Sequence, residues 1–143
     1  MTIIVNASVA SSAPPAAFFA EWADMASWPE WNLDTAWVRL DGPFVEGATG
    51  RLKPKGGPTV TFVVARLVDG EEFTDVSTLL GARLTFRHVV DAEPGRTTVS
   101  VEATLTGPLA PLWRLVLAKG VRDSMQPDLD RLAERAERAA VSG

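Results

Sequence analysis

The spacing of apolar residues divides the chain into a strand-like beginning, a long strand-rich middle and a helical end. In the segment 3–9, apolar residues alternate with more polar or smaller ones, which is typical of a half-buried strand. From Leu33 onward, segments rich in Val, Thr and Phe are separated by turn-forming pairs such as Asp69-Gly70 and Pro94-Gly95. These segments predict six more antiparallel strands, at about residues 34–41, 49–55, 59–67, 71–78, 83–91 and 96–106.

Helical spacing is found on both sides of the strand-rich region. Ser12 and Pro14-Pro15 predict the start of a helix of about ten residues. Ser27 and Glu30 have the spacing of a capping box, which predicts a second short helix. Beyond Gly107, apolar residues recur every three to five positions as far as Ala136, which predicts one long C-terminal helix.

This order of elements predicts an α+β fold in which a curved, seven-stranded antiparallel sheet surrounds the long C-terminal helix, with two short helices after strand 1. Gly120 and Pro127 fall inside the long helix, and they predict a kink or break between them. A chain of 143 residues is expected to form one domain, residues 1–143. A sheet that curves around one helix leaves space for an apolar internal cavity.

Charge and composition exclude several classes of function. The net charge is −4 and the basic residues are scattered, so nucleic acid is not an expected partner. There is no cysteine and one histidine, so neither disulfides nor a metal site is predicted, and no cofactor is implied. We find neither a signal peptide nor an apolar segment of membrane-spanning length, and we therefore expect a cytoplasmic protein.

Two segments of the chain resemble a known superfamily. They are the motif Trp28-Pro29-Glu30-Trp31-Asn32 and the run from Phe86 to Leu117. They are similar to the START-like, Bet v 1-like (SRPBCC) superfamily, in its bacterial polyketide cyclase/dehydrase-like branch, and the similarity extends from Ile3 to about Leu132. The resemblance implies the helix-grip fold and an internal pocket for a hydrophobic ligand. It does not imply one activity, because these folds serve lipid carriers, ligand sensors and cyclases alike.

The strand alternation brings two titratable residues to one face. His88 shares a strand face with Leu84 and Phe86, and on the preceding strand Asp75 shares a face with Phe73 and Ser77. If both faces are the concave one, Asp75 and His88 form a carboxylate–imidazole pair, in which His88 would serve as a general base. The alternatives are a buried histidine that hydrogen-bonds to its neighbours, and a histidine that orients a ligand. A Ser77-His88-Asp75 hydrolytic triad is disfavoured, because a nucleophile elbow and an oxyanion hole are not evident.

Aromatic and aliphatic residues are expected to line the cavity. Five tryptophans occur in a chain without tyrosine, and indole groups suit an apolar wall with a few donors. For Trp28 and Trp31, we weigh a role in the pocket and simple core packing as equals. The expected ligand-binding residues are Trp28, Trp31, Phe62, Phe73, Ser77, Phe86, His88, Leu105, Trp113 and Val116.

Three functions are compatible with these features. The first is binding or carriage of a hydrophobic small molecule, such as a lipid or a quinone-like or polyketide-like compound. The second is a polyketide aromatase/cyclase or dehydratase that uses His88, with Asp75, as a general base. The third is an interaction protein whose groove binds a partner helix or a second copy, which would expose a large apolar patch. The oligomeric state is not predicted from the sequence.

Overall fold

Short turns connect consecutive strands, so that most of the chain forms one antiparallel meander. The computed structural model describes residues 2–142. The seven strands are β1 (Thr2–Ser11), β2 (Thr35–Leu40), β3 (Thr49–Pro54), β4 (Val60–Val68), β5 (Glu72–Leu79), β6 (Ala82–Glu93) and β7 (Arg96–Thr106). Their order in the sheet is β1-β7-β6-β5-β4-β3-β2, so β1 pairs with the last strand of the meander. This arrangement confirms the predicted seven-stranded antiparallel sheet.

The helices lie where the sequence predicts them, but their starts differ from the predicted capping. Helix α1 (Pro15–Ala23) is followed by a short 3₁₀ helix (Met25–Glu30), and helix α2 (Ala110–Ser142) ends the described chain. The predicted capping box is wrong, because the 3₁₀ helix begins before Ser27, whose hydroxyl donates to the Asp24 carbonyl at 2.7 Å. No side chain caps α1 either, since Pro14 occupies its N-cap.

Helix α2 is continuous, so the predicted break is wrong, whereas a kink between Gly120 and Pro127 stays a prediction. All residues from Ala110 to Ser142 are helical, including Gly120 and Pro127. Tertiary contacts along the helix compensate for the hydrogen bond that proline cannot make. Arg122 Nε donates to the Ile4 carbonyl, and Arg131 Nε donates to the Trp31 carbonyl, each at 3.0 Å. Among the described residues, no helix is both long and apolar enough to cross a membrane.

The core is most densely packed where α1 and the 3₁₀ helix meet the sheet. Phe18, Trp22 and Phe73 are fully buried, and the Trp22 and Phe73 rings lie 5.5 Å apart. Trp28 packs against Phe73, with ring centroids 6.2 Å apart, and its indole N–H donates to the Trp22 carbonyl at 3.1 Å. This aromatic cluster closes one end of the space between the sheet and α2.

The curved sheet also depends on one close approach inside the β3–β4 pair. Gly50 lies opposite Phe62, and a Cβ at position 50 would come within 2.5 Å of the Phe62 ring. The absence of a side chain at Gly50 therefore lets the buried Phe62 ring lie flat over the strand. With the long C-terminal helix against the concave face, the molecule has the α+β helix-grip architecture predicted from the sequence.

Candidate functional site

The register of β5 and β6 places three polar side chains on the inner face of the sheet. Phe73 pairs with His88, Asp75 with Phe86, and Ser77 with Leu84. Because side chains alternate along a strand, these pairs all point to the side occupied by the core. Asp75 and Ser77 are each 7% exposed, whereas His88 is partly buried. We refer to Asp75, Ser77 and His88 as the polar wall.

The His88 ring is fixed by a backbone hydrogen bond and by aromatic contacts. Its Nδ1 lies 2.8 Å from the Phe73 carbonyl oxygen. A carbonyl can only accept, so Nδ1 carries the proton, and in the neutral ring Nε2 keeps a lone pair. The ring stacks on Phe73 with a centroid distance of 4.9 Å and an interplanar angle of 13°, and it lies 5.1 Å from the Trp22 ring.

Asp75 and His88 lie diagonally on the inner face, as the sequence predicted, but within residues 2–142 no hydrogen bond joins them. His88 lies directly opposite Phe73, whose carbonyl is therefore closer to the imidazole than the Asp75 carboxylate on the diagonal position. Burial lowers the pKa of His88 to about 4, although the bond to the Phe73 carbonyl acts in the opposite direction. His88 is consequently neutral near pH 7, with Nε2 as a hydrogen-bond acceptor.

Asp75 is a buried carboxyl group in apolar surroundings. It lies between Val64 on β4 and Phe86 on β6, and its carboxyl group makes no hydrogen bond or ion pair with any residue of the described range 2–142. Burial raises the pKa of Asp75 to about 7, because the charged form loses its hydration. The group can therefore donate or accept a proton near neutral pH.

Partly exposed apolar residues on the sheet and on α2 show where the interior is incompletely buried. Toward the β5–β6 turn, inward-facing apolar residues of the sheet remain partly exposed, and so do the residues of α2 that face them. Layers that closed on each other would bury both sets completely. We call this incompletely buried apolar region the cleft and define it by Leu52, Leu79, Phe86, Trp113, Leu117 and Val121. The polar wall lies between this cleft and the aromatic cluster.

The predicted ligand-binding residues occupy four environments. Phe86 and Trp113 belong to the cleft, and Ser77 and His88 belong to the polar wall. Five others are buried in the core, namely Trp28, Trp31, Phe62, Phe73 and Leu105. Val116 is 64% exposed and lies on the outer side of α2. It does not face the cleft, because the face of α2 that packs inward contains Trp113, Leu117 and Val121.

Sequence reasoning missed four residues of the cleft, namely Leu52 on β3, Leu79 on β5, and Leu117 and Val121 on α2. Leu117 and Val121 follow Trp113 at intervals of four, which places all three on one face of a helix. That spacing could have identified them, but Leu112 and Val116 show the same interval on the neighbouring face. Leu79 precedes the β5–β6 turn, where the Trp113 indole N–H donates to the Leu80 carbonyl at 2.8 Å.

Other polar features do not form a second site of this kind. The indole N–H groups of Trp22 and Trp31 are buried and have no acceptor within the described residues. Two shallow surface hollows lie outside the cleft, one beside the Glu21–Arg135 ion pair and one over the outer side of β1, β6 and β7. In residues 2–142, no group of three or more His, Asp or Glu side chains has an arrangement that could hold a metal ion.

Comparison with known proteins identifies relatives over nearly the whole chain. Residues 2–137 match the family described as polyketide cyclase / dehydrase and lipid transport. No curated protein sequence matches the chain.

Solved structures share the fold at low sequence identity. The Zhui aromatase/cyclase from Streptomyces sp. R1128 superimposes with a TM-score of 0.73 at 16% identity, covering 94% of this chain and 93% of that one. Protein MLL2253 from Mesorhizobium loti gives 0.71 at 14% identity, covering 94% and 98%. A START superfamily protein from Mycobacterium smegmatis gives 0.65 at 15% identity, covering 99% of each chain. At these identities, the likeness establishes the fold and leaves the ligand open.

Proposed function

The chain belongs to the polyketide cyclase/dehydrase and lipid transport family, and on that basis we propose that it binds or carries a hydrophobic small molecule in the cleft. The observation that carries this proposal is the partial exposure of apolar residues on both sides of the cleft. Phe86 from the sheet and Leu117 and Val121 from α2 would contact the apolar body of the ligand. A site of this kind, apolar with few polar groups, is typical of small-molecule binding.

The polar wall limits the chemistry of the ligand. His88 Nε2 accepts a hydrogen bond, and Asp75 can donate one when it is protonated. Both groups can be neutral near pH 7, so a ligand need not carry a compensating charge. We therefore expect an apolar molecule with a hydroxyl or carbonyl group at one end, which includes lipids and quinone-like or polyketide-like compounds. A cytoplasmic location and a single domain over residues 1–143 remain part of this proposal.

Native mass spectrometry of the purified protein, followed by organic extraction, tests the proposal. We expect a mass adduct that disappears on extraction and yields an apolar compound with a hydroxyl or carbonyl group. Saturable quenching of tryptophan fluorescence by candidate lipids and aromatic polyketides would support the same conclusion. A protein that purifies without an adduct and responds to none of these compounds would contradict it.

A second candidate function is proton transfer next to a carbonyl group, as an aromatase/cyclase or dehydratase requires. The observation that favours it is the position of two proton-exchanging groups on one wall. A base would take the proton from the carbon, the electron pair of that C–H bond would form an enolate, and a donor would stabilise the enolate oxygen. General bases work best when their pKa is near the operating pH, so Asp75 suits this role better than His88.

Deuterium exchange separates the two roles. With 2-tetralone in D₂O, the cyclase interpretation predicts that the protein accelerates exchange of the hydrogens next to the carbonyl. Asp75→Asn should lower this rate by about a hundredfold or more, and Asp69→Asn at an exposed turn should not change it. Loss of exchange in His88→Asn alone would assign the base to His88. Equal rates with and without the protein would contradict the catalytic proposal while leaving ligand binding in place.

A further inference from the structure

The first half of α2 exposes an apolar surface that the core does not use. Leu112, Leu115 and Val116 are 55%, 83% and 64% exposed, and their spacing places them on one side of the helix. Two more exposed leucines lie at the same end of the molecule, Leu80 in the β5–β6 turn and Leu109 just before α2. We call these five residues, Leu80, Leu109, Leu112, Leu115 and Val116, the apical patch.

Hydrogen bonds join the turn and the helix into one surface. The Leu109 N–H donates to the Gly81 carbonyl at 2.9 Å, and the Trp113 indole donates to the Leu80 carbonyl at 2.8 Å. The Leu109 side chain packs directly against Gly81, where any Cβ would clash with it. The β5–β6 turn therefore keeps a fixed position beside the first turns of α2, and the exposed leucines are held together.

Most of the charged residues near the apical patch are basic. Between Ala110 and Arg122, helix α2 contains Arg114, Lys119 and Arg122 but no acidic residue. Arg83 follows the β5–β6 turn, and the turns between β3 and β4 and between β7 and α2 also lack Asp and Glu. The one acidic residue in the connections at this end is Asp34, which precedes β2 and whose carbonyl accepts from the Lys55 N–H. Lys119 forms an exposed ion pair with Asp123, one turn farther along the helix. An apolar surface with a basic border is unusual in a protein of net charge −4.

Several acidic residues lie at the opposite end of the sheet. In an antiparallel meander, alternate turns lie at opposite ends, so the β2–β3, β4–β5 and β6–β7 connections share the end away from the apical patch. These connections and their flanking residues contain Asp41, Glu46, Asp69, Glu71 and Glu93, together with one basic residue, Arg96. A negatively charged surface would therefore attract the apical patch more strongly than the turns at the other end of the sheet.

We propose that the apical patch docks the protein on the surface of an anionic phospholipid bilayer. The exposed leucines and Val116 would enter the boundary between head groups and acyl chains, and Arg83 and Arg114 would lie at the level of the lipid phosphates. A patch made only of aliphatic side chains fits a fluid apolar layer, whereas protein interfaces are anchored mainly by Trp, Tyr and Arg. The patch borders the cleft through Trp113, but docking does not require the cleft to be occupied.

A second copy of the chain fits the apical patch less well. In a symmetric dimer, the same patch faces itself, so Arg83, Arg114 and Lys119 of one copy would approach those of the other. Like charges brought together at an interface oppose association. An anionic bilayer, in contrast, pairs each of these residues with a phosphate.

Vesicle flotation with the full chain tests the proposal. The protein should float with vesicles of phosphatidylcholine mixed with phosphatidylglycerol, bind vesicles of phosphatidylcholine alone much more weakly, and detach as salt is added. Leu115→Glu should weaken binding about tenfold or more, because a charge enters the apolar layer poorly. Arg114→Gln should weaken it about fivefold, the value of one basic residue near an anionic surface.

Val141→Glu is the matched control, because Val141 is 89% exposed near the other end of α2. We expect it to bind like the wild type, and circular dichroism and thermal melting establish that all variants are folded. Absence of flotation with mixed vesicles would overturn the proposal, as would equal effects of Leu115→Glu and Val141→Glu. Sedimentation analysis that shows a dimer dissociated by Leu115→Glu would instead assign the apical patch to a second copy.

Discussion

His88 and Asp75 face the same space from adjacent strands, and burial moves their pKa values in opposite directions. The pKa of Asp75 rises to about 7 and that of His88 falls to about 4. Both shifts favour the neutral form, because a poorly hydrated site disfavours charge. The polar wall can thus offer hydrogen bonds without placing a permanent charge beside an apolar ligand. The two residues are therefore better suited to orienting a ligand through hydrogen bonds than to pairing with each other.

Replacing Asp75 should change how stability depends on pH. The usual pKa of Asp is 3.8 and that of Asp75 in the fold is about 7, so the folded protein holds this proton more tightly than the unfolded chain does. The contribution of Asp75 to the free energy of unfolding therefore falls as pH rises from about 4 to about 7. We expect Asp75→Asn to stabilise the protein by on the order of a few kcal/mol at about pH 8, and by little near pH 4. Urea unfolding at the two pH values measures this, and an equal effect at both would contradict it.

The contribution of His88 to stability should depend on pH in the opposite direction to that of Asp75. The usual pKa of His is 6.5, and the value of about 4 in the fold means that the folded protein binds the proton less tightly. Its contribution to stability is lost as pH falls from about 6.5 to about 4. His88→Asn keeps a donor for the Phe73 carbonyl and removes Nε2, so it should reduce this loss. Because Asp75 titrates in the same range, urea unfolding should compare Asp75→Asn with Asp75→Asn/His88→Asn. If the single and the double variant lose the same stability as pH falls, His88 does not titrate in this range.

The sequence predicted which way the polar wall faces but not its hydrogen bonds. Strand alternation is sufficient to place Asp75, Ser77 and His88 on one face. The partner of His88 depends on the register, which brings it opposite Phe73. A one-residue difference in the length of the β5–β6 turn would give every residue of β5 a different partner on β6, and the sequence does not fix that length.

At the level of elements, α2 shows how tertiary contacts override local propensity. Gly120 and Pro127 disfavour a helix, yet α2 remains continuous across both. Gly120 is exposed, and a Cβ there would meet nothing within 4 Å. Its cost to the helix is therefore one of backbone entropy alone.

Removing these helix-disfavouring residues should stabilise the protein. We expect Gly120→Ala to raise the free energy of unfolding by about 0.5–1 kcal/mol. Pro127→Ala should raise it by about 1–3 kcal/mol, because an N–H becomes available to the carbonyl of the preceding turn. Thermal melting measures both changes. A lower melting temperature for Pro127→Ala would indicate that the fold requires a bend that proline supplies.

An alanine substitution at Gly50 should destabilise the protein, whereas the same substitution at Gly120 should stabilise it. An added methyl group at position 50 meets the Phe62 ring at 2.5 Å and the Arg39 carbonyl even closer. Gly50→Ala should therefore destabilise the protein by about 1–3 kcal/mol, the usual cost of overpacking. Urea unfolding of both alanine variants gives the comparison. A Gly50→Ala protein as stable as the wild type would show that the Phe62 ring can move without cost.

The strands were predicted more accurately than the helix starts. The predicted segment 96–106 coincides with β7, and the ends of the other strands of the meander differ from prediction by at most two residues. Turn pairs such as Asp69-Gly70 identify strand ends from the local sequence, because the turn requires a positive φ and Gly70 adopts one. The 3₁₀ helix was harder to place, because Ser27 follows the start of the helix and bonds back to Asp24.

At the level of the whole molecule, the two ends of the interior differ. Near α1, the aromatic cluster around Trp22 and Phe73 fills the space between the sheet and the helices. Near the β5–β6 turn, Phe86 and Val121 face a cleft that is only partly filled. The alternation of apolar residues predicts that such a core exists, but which end is filled depends on packing between distant elements. The outward position of Val116 was missed for the same reason.

The central claim is that this cleft binds an apolar molecule, and the most direct test is a titration with the fluorescent probe 1-anilinonaphthalene-8-sulfonate. Val121→Phe fills the cleft, and Val141→Phe makes the same change at an exposed position outside it. We expect Val121→Phe to weaken probe binding about tenfold or more, while Val141→Phe and the apical-patch variant Leu115→Glu bind it like the wild type. Equal binding by Val121→Phe and the wild type, or loss only in Leu115→Glu, would contradict the assignment of the ligand site to the cleft.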